Sequence, residues 1–542
     1  YEAIYNTSGE LIYKKTQDYQ KLGYTESTGQ SRNWYLEAAV NYKRDFGNHH
    51  VPALAMYNQS MTYYPVEGSS PSEFIGIPRS YVGLVGRATY GYDDRYLAEV
   101  NFGYNGSENF ISGHRFGFFP SIAGAWVVSS EPFWEGIRSK VNLLKIRASY
   151  GLSGNDYLAD SSNNIVRFPY LTTVNMNKAL YVWFSPNFVK QTGHEIKTVG
   201  NPLATWEEST KLNIGLELGL FDALTLNVDV YKEDRTGIFM QRRSLPSTMG
   251  LSGVTPYGNL GEVENRGVDV SLEYNKAFSK DLLVSVRGTF TYAHNEVKAR
   301  DEAKYLPNAY NSVLGKPVNS VYGLVADGLF ASQEEIDNSP KQQFGNYTVG
   351  DIKYRDLDRS GFVDQNDVTK VGKSPYPEWT YSLGAAFNYR GFDFSFLLQG
   401  IAGASFNLLD NAVQTRAFVD NGNVYPIARG AWAYYPEQGI DTRATATYPR
   451  LTTQSNENNY QLSSFWVKSR NFMRVRNIEV GYNFRHHAKF RAAGISNFRI
   501  YLNVTNPFTV SKLMSDYDLD PELLSYRYPV LKSYNIGVSL TF

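Results

Sequence analysis

The segment from Asp356 to Asp367 has the sharpest chemical spacing in the chain. Positions 1, 3, 5, 9 and 12 of this twelve-residue stretch hold Asp356, Asp358, Ser360, Asp364 and Asp367, with Gly361 at position 6. Hard oxygen donors at these intervals, with a glycine for the sharp turn, are the ligand pattern of a calcium loop. Aspartate in place of glutamate at position 12 weakens bidentate closure, and no amphipathic helices flank the segment. Two readings follow: a loop that stiffens around Ca2+, or a polar Asp/Gly turn.

Other chemistry is sparse. Cysteine is absent, which removes disulfides, thiolate nucleophiles and Cys-based metal centres. The seven histidines (His49, His50, His114, His194, His294, His486, His487) form no HExxH pair, and His486-His487 reads as a solvated turn. There is no G-x-S-x-G, P-loop or dinucleotide fingerprint. The expectation is a protein that is not an enzyme and needs no cofactor beyond that cation. Equal numbers of basic and acidic residues, 53 each, give no electrostatic reason to expect nucleic acid.

The elements that must carry these residues read as strands. At the C-terminus Tyr534, Ile536, Val538, Leu540 and Phe542 alternate with Asn535, Gly537, Ser539 and Thr541, a period-two pattern with one apolar and one polar face. The same alternation recurs at Tyr81–Gly91 and Tyr96–Tyr104, around Lys145–Leu152, Leu212–Leu218, Leu226–Val230, Val268–Tyr274, Val284–Phe290 and Ser382–Tyr389, and in 474–484 and 498–504. Charged residues repeatedly share the polar face, which suits a hydrated lumen better than a dry core. No run of about 18 apolar residues exists, so no membrane helix is expected. Forty-two tyrosines and 31 phenylalanines are enough for the aromatic girdles of a membrane barrel.

Connections alternate short and long. Brief turns are expected near Asp93, Asp222, Lys280, Gly391 and Lys489, and long loops at 153–208, 296–378, 401–463 and 506–532. That asymmetry belongs to outer-membrane barrels, with short periplasmic turns and long outer loops. The fold class is therefore all-β: a transmembrane antiparallel β-barrel, with about 16 strands of roughly 10 residues here. Tyr1-Glu2-Ala3-Ile4-Tyr5 has neither a basic nor an apolar leader region, so the sequence reads as a mature or partial product.

Four stretches carry a family likeness: Phe119-Pro120-Ser121-Ile122-Ala123-Gly124-Ala125-Trp126, Asn201-Pro202-Leu203-Ala204-Thr205-Trp206-Glu207, 259–269 (NLGEVENRGVD) and Arg476-Asn477-Ile478-Glu479-Val480-Gly481-Tyr482. With Asn503-Val504-Thr505-Asn506-Pro507-Phe508, Asp520-Pro521-Glu522 and the final strand, they resemble the C-terminal barrel of SusC/RagA-type TonB-dependent transporters. The likeness covers most of residues 1–542. It implies a 22-strand barrel with an N-terminal plug, driven by TonB and lidded by a SusD-like surface lipoprotein, in the bacterial outer membrane and in contact with its lipid. Pairing of two transporter–lid units is a further option. The plug, the TonB box and about six leading strands of that pattern are absent from these residues.

The expected function is TonB-dependent import of oligosaccharides or oligopeptides. A passive porin of about 16 strands and a barrel-embedded hydrolase, with Ser, His and Asn meeting across strands, are the alternatives. Loop aromatics (Tyr181, Trp183, Phe184, Tyr305, Tyr310, Tyr425, Trp432, Tyr434, Tyr435) are candidates for stacking on sugar rings, or else for loop packing and lid contacts.

Overall fold

In a computed structural model, the structure describes residues 2–5, 8–14, 23–24, 26, 31–63, 74, 76–159, 165–182, 189–242, 244–250, 254, 256–302, 309–419, 422–484, 494–526 and 528–542. Fifteen strands form one sheet in which every neighbour in space is the next sheet strand in sequence. They are β1 (Arg32–Phe46), β2 (His49–Tyr63), β3 (Arg79–Tyr92), β4 (Tyr96–Ser107), β5 (Phe116–Val127), β6 (Val141–Asn155), β7 (Glu207–Leu220), β8 (Leu224–Gln241), β9 (Tyr257–Ala277), β10 (Leu282–Ala299), β11 (Trp379–Tyr389), β12 (Phe392–Ala402), β13 (Phe472–Asn483), β14 (Asn497–Ser511) and β15 (Ser533–Thr541). All pairings are antiparallel, and β1 and β15 are the two edges among the described residues. The fold is the all-β up-and-down wall of a transmembrane barrel.

The register keeps each face continuous, because residues directly opposite in antiparallel strands project to the same side. Val538 lies opposite Ile500, Ile500 opposite Tyr482 and Tyr482 opposite Phe392. On this face Ile536 is 83% and Val538 59% exposed. Large apolar side chains in that state need lipid as their solvent. The opposite face carries Arg147, Gly215, Asp229, Asp269 and Thr291 in one row across β6 to β10. It is the lumen wall.

Turns separate the two ends. One end has the tight links 47–48, 93–95, 221–223, 278–281 and 390–391. The other collects 156–206, 300–378, 403–471 and 512–532. Of the short turns expected from sequence, the one near Lys489 lies outside the described residues. All but the last of these strands, Ser533–Thr541, run longer than the expected ten residues, β9 reaching 21. A bilayer needs about 9–11 at the usual tilt, so the surplus can stand proud of the membrane.

The buried apolar core sits outside the wall. Leu324, Ile352, Tyr354, Val363, Phe406, Leu408, Tyr448, Trp466, Leu513 and Leu519 form one cluster drawn from the three C-terminal long loops. Phe110, Phe119, Leu158, Ala204, Trp206 and Phe239 form a second at the same end.

Candidate functional site: the outer loop layer

The loop layer is held by buried polar groups as well as by its apolar cluster. Asp351 is fully buried and lies 2.9 Å from the Arg450 guanidinium, while Asn459 and Asn456 donate to it at 2.8 and 3.2 Å. Gln342 donates to Asn458 Oδ1 at 2.7 Å and accepts from the Tyr354 amide at 2.6 Å. Tyr354 donates to the Asn458 carbonyl at 2.7 Å, and burial pushes its phenol well above the usual value. A buried charge paired and hydrogen-bonded on all sides fixes loop geometry, because any slip leaves it unsatisfied. Burial also raises Tyr517 and Tyr526 to about 12 each. These loops are a folded layer, which their irregular sequence does not announce.

The segments quoted for the family likeness meet at this end. The Phe119 and Trp206 rings pack edge to face with centroids 5.3 Å apart. Asn259 accepts from the Thr205 amide at 3.1 Å and donates to the Thr205 and Gly237 carbonyls at 2.8 and 2.7 Å. Arg474 and Arg476 on β13 grip Asp520 and Glu522 from the loop before β15. Each segment supplies the partner another lacks.

The Asp-rich loop folds as a compact turn between two short strands. Asp356 accepts from the Gly361 amide at 2.8 Å and Asp358 from the Ser360 amide at 2.9 Å. Gly361 has φ +85°, the left-handed conformation its position demands. Asp367 is fully buried and accepts from the amides of Leu357 (2.6 Å) and Asp364 (2.9 Å). Carboxylate oxygens of Asp356, Asp358 and Asp367 lie within 4.8 Å of one another. Ser360 and Asp364 adjoin that trio through their amides, which donate to Asp358 and Asp367, while the Ser360 hydroxyl donates to the Phe362 carbonyl and Asp364 caps the 3-10 turn Gln365–Asp367. Hydrogen bonds from Ser360 hold the Asp358 carboxyl below its usual value.

The aromatic candidates divide. Trp183, Phe184, Tyr305 and the side chain of Tyr181 lie outside the described residues. Tyr310 donates to the Asn366 carbonyl at 2.9 Å and Tyr425 packs on Tyr526 with centroids 4.9 Å apart. Both serve the loop layer. Tyr434 and Tyr435 are exposed, with the Arg443 guanidinium 3.7 Å over the Tyr434 ring. Among the histidines, His49 pairs with Tyr90, His50 with Asp45 and His294 with Glu378; His486-His487 lies outside the described residues.

Beneath the layer the lumen wall carries cross-strand ion pairs. Arg147 on β6 reaches over Gly215 on β7 to Asp229 on β8 at 2.6 Å. A Cβ on Gly215 would sit 2.6 Å from the Arg147 Cζ atom. Arg499 likewise spans from β14 past Gly481 to Asp393 on β12 at 2.5 Å. Sequence alternation predicts the charged face; the bridges depend on register and on the missing side chain between them.

Comparison with known proteins agrees with this architecture. The family described as TonB dependent receptor-like, beta-barrel, matches residues 2–506. TonB-dependent receptor P26 of Formosa agariphila is 26% identical over 95% of this chain and 54% of its own length. TonB-dependent receptor SusC of Bacteroides thetaiotaomicron is 25% identical over 85% of this chain and 44% of its own. The RagAB peptide transporter superposes with a TM-score of 0.64 at 21% identity, covering 94% of this chain and 55% of that one. The chain thus spans about half the length of the relatives it matches. A strand meander with a lipid face, a charged lumen and a folded outer loop layer, matched over nearly its whole length, belongs to the TonB-dependent receptor β-barrel family of the SusC/RagA type, in the bacterial outer membrane.

Proposed function

We propose that this chain is the wall and outer loop layer of an importer that carries oligosaccharides or oligopeptides across the outer membrane. A plug and TonB supply the drive, and a SusD-like lipoprotein is the lid. The observation that carries this reading is the common core shared by the loops 300–378, 403–471 and 512–532. A pore that only sieves solutes needs no such structured platform; a transporter that docks a lid does. No bond is made or broken in this scheme.

The test is uptake of labelled maltoheptaose, of a pool of other neutral oligosaccharides and of an oligopeptide pool by cells with the full-length protein, with and without TonB. Energy-dependent uptake supports the reading and selects the cargo class. Steady open-channel conductance of the full-length protein in planar bilayers, unaffected by TonB, would replace it with the passive porin.

We propose also that the Asp356, Asp358 and Asp367 carboxylates take a Ca2+ ion, with Ser360 and Asp364 closing in when it binds. The convergence of three carboxylates supports this, as does the turn geometry, in which the first aspartate is bonded to the amide at position 6. Calcium titration followed by calorimetry is the direct check.

A further inference from the structure

β10 outruns β11: its pairing with β11 stops at Tyr292–Trp379, while its pairing with β9 continues to Ala299. Beside that unpaired end lies an open cavity of about 740 Å3, lined by Gly315, Lys316 and Pro317 and by residues between Lys370 and Glu378 of the loop layer. This size holds a ligand of several tens of atoms. Three lysines line it, Lys316, Lys370 and Lys373, and its acidic side chain is Glu378.

The charges do not balance. Glu378 is already engaged at both oxygens, by Lys373 Nζ at 2.6 Å and by His294 Nδ1 at 2.9 Å. Lys316 and Lys370 are half-buried and have no hydrogen-bonded or ion-paired side chain among the described residues. Burial, and after it the Lys316 ammonium, lowers the Lys370 ammonium below its usual value. Two half-buried ammonium groups face one cavity whose carboxylate, Glu378, is shared with Lys373 and His294 and offsets their repulsion only in part, and a bound anion would relieve the rest.

We infer that this cavity is a binding site for an oxyanion, a sulfate, phosphate or carboxylate, held by Lys316 and Lys370 and carried on a larger body that fills the space beside Tyr376. The cavity is far larger than a bare inorganic anion. The inference stands independently of what is transported. Two sources share this chemistry: a soluble anionic ligand and a phosphorylated headgroup of the surrounding lipid.

The experiment uses the full-length protein in detergent, as wild type, as K316Q/K370Q and as K280Q, a control at the short-turn end of the wall. One arm titrates inorganic sulfate, inorganic phosphate and glucuronate, with glucose as the neutral counterpart, by calorimetry. The other counts retained phosphorylated lipid by native mass spectrometry. Binding of an anionic probe but not glucose, weakened about tenfold or more in K316Q/K370Q and unchanged in K280Q, supports the site with a soluble ligand. Retained lipid lost only in K316Q/K370Q supports it with a headgroup. Heat-modifiable gel mobility shows that each variant is folded. If a folded K316Q/K370Q matches wild type in both arms, or wild type shows neither binding, the inference is overturned.

Discussion

Arg474 on β13 is almost fully buried and is gripped by Asp520, twenty-two residues from the C-terminus, in the loop that leads into β15. The same guanidinium also contacts Glu522, which bridges on to Arg476, while its Nε donates to Thr509 on β14 at 2.8 Å. Three chain segments therefore share one cation.

Removing that cation is the severe change. Arg474→Met leaves the buried Asp520 carboxylate without its cation, and breaking a buried pair from one side costs about 3–5 kcal/mol. The expected outcome is a lowered unfolding midpoint in detergent, measured by heat-modifiable mobility, with earlier proteolysis of the loop 512–532. The double change Arg474→Met with Asp520→Leu should recover part of the loss, since it removes both charges.

Gly267 lies within the segment 259–269, where the packing leaves no room for a side chain. A Cβ there would sit 2.3 Å from the Tyr292 carbonyl oxygen and 2.4 Å from the Tyr231 hydroxyl. The carbonyl is backbone and cannot swing aside. Gly267→Ala should cost about 1–3 kcal/mol through strand displacement, whereas Gly288→Ala, whose nearest atom would be 3.8 Å away, should leave the unfolding midpoint nearly unchanged.

Calcium should stabilise the loop layer if the aspartate trio binds it. At a hundredfold excess over Kd the gain is about 2.7 kcal/mol for the unit that unfolds. Protease protection of the 350–370 segment should rise with Ca2+, fall with chelator and lose its calcium dependence in Asp356→Asn with Asp358→Asn. Protection that ignores calcium would leave the polar turn as the whole account.

Acid should loosen the segment around Glu335. The Lys353 ammonium first, and then the Ala331 amide, hold this carboxyl below its usual value. A lowered folded pKa contributes stability that is present above the unfolded value, about 4.3 for glutamate, and is lost as pH falls through the folded one. The protection factors of amides 331–339, taken relative to intrinsic exchange at each pH, should therefore fall below about pH 4, and Glu335→Gln should flatten that dependence.

What the sequence alone determined is local. Alternation with period two places a strand and assigns its faces without reference to any distant residue, so the wall, its lipid and lumen sides and the segregation of short and long connections are all readable from residues such as Ile536, Val538 and Asp229. The family likeness was readable for a related reason, since its segments are contiguous. The Asp-rich loop was found by spacing, and its turn is built by neighbours no more than eleven positions apart.

Tertiary structure alone decided the rest. That Phe119 meets Trp206, that Asp351 meets Arg450 and that Arg147 crosses an empty Gly215 to reach Asp229 depend on register and on the closure of long loops. No periodicity encodes those contacts. The extra length of β9 is hidden likewise, because its outer residues follow their partner strands rather than an apolar stripe. The loop layer reads as irregular because its core residues come singly from segments far apart in the chain, and burial is a property of their meeting. The same holds for Lys316 and Lys370: each is an ordinary lysine in sequence, and only the fold sets both beside one cavity whose single carboxylate is already taken.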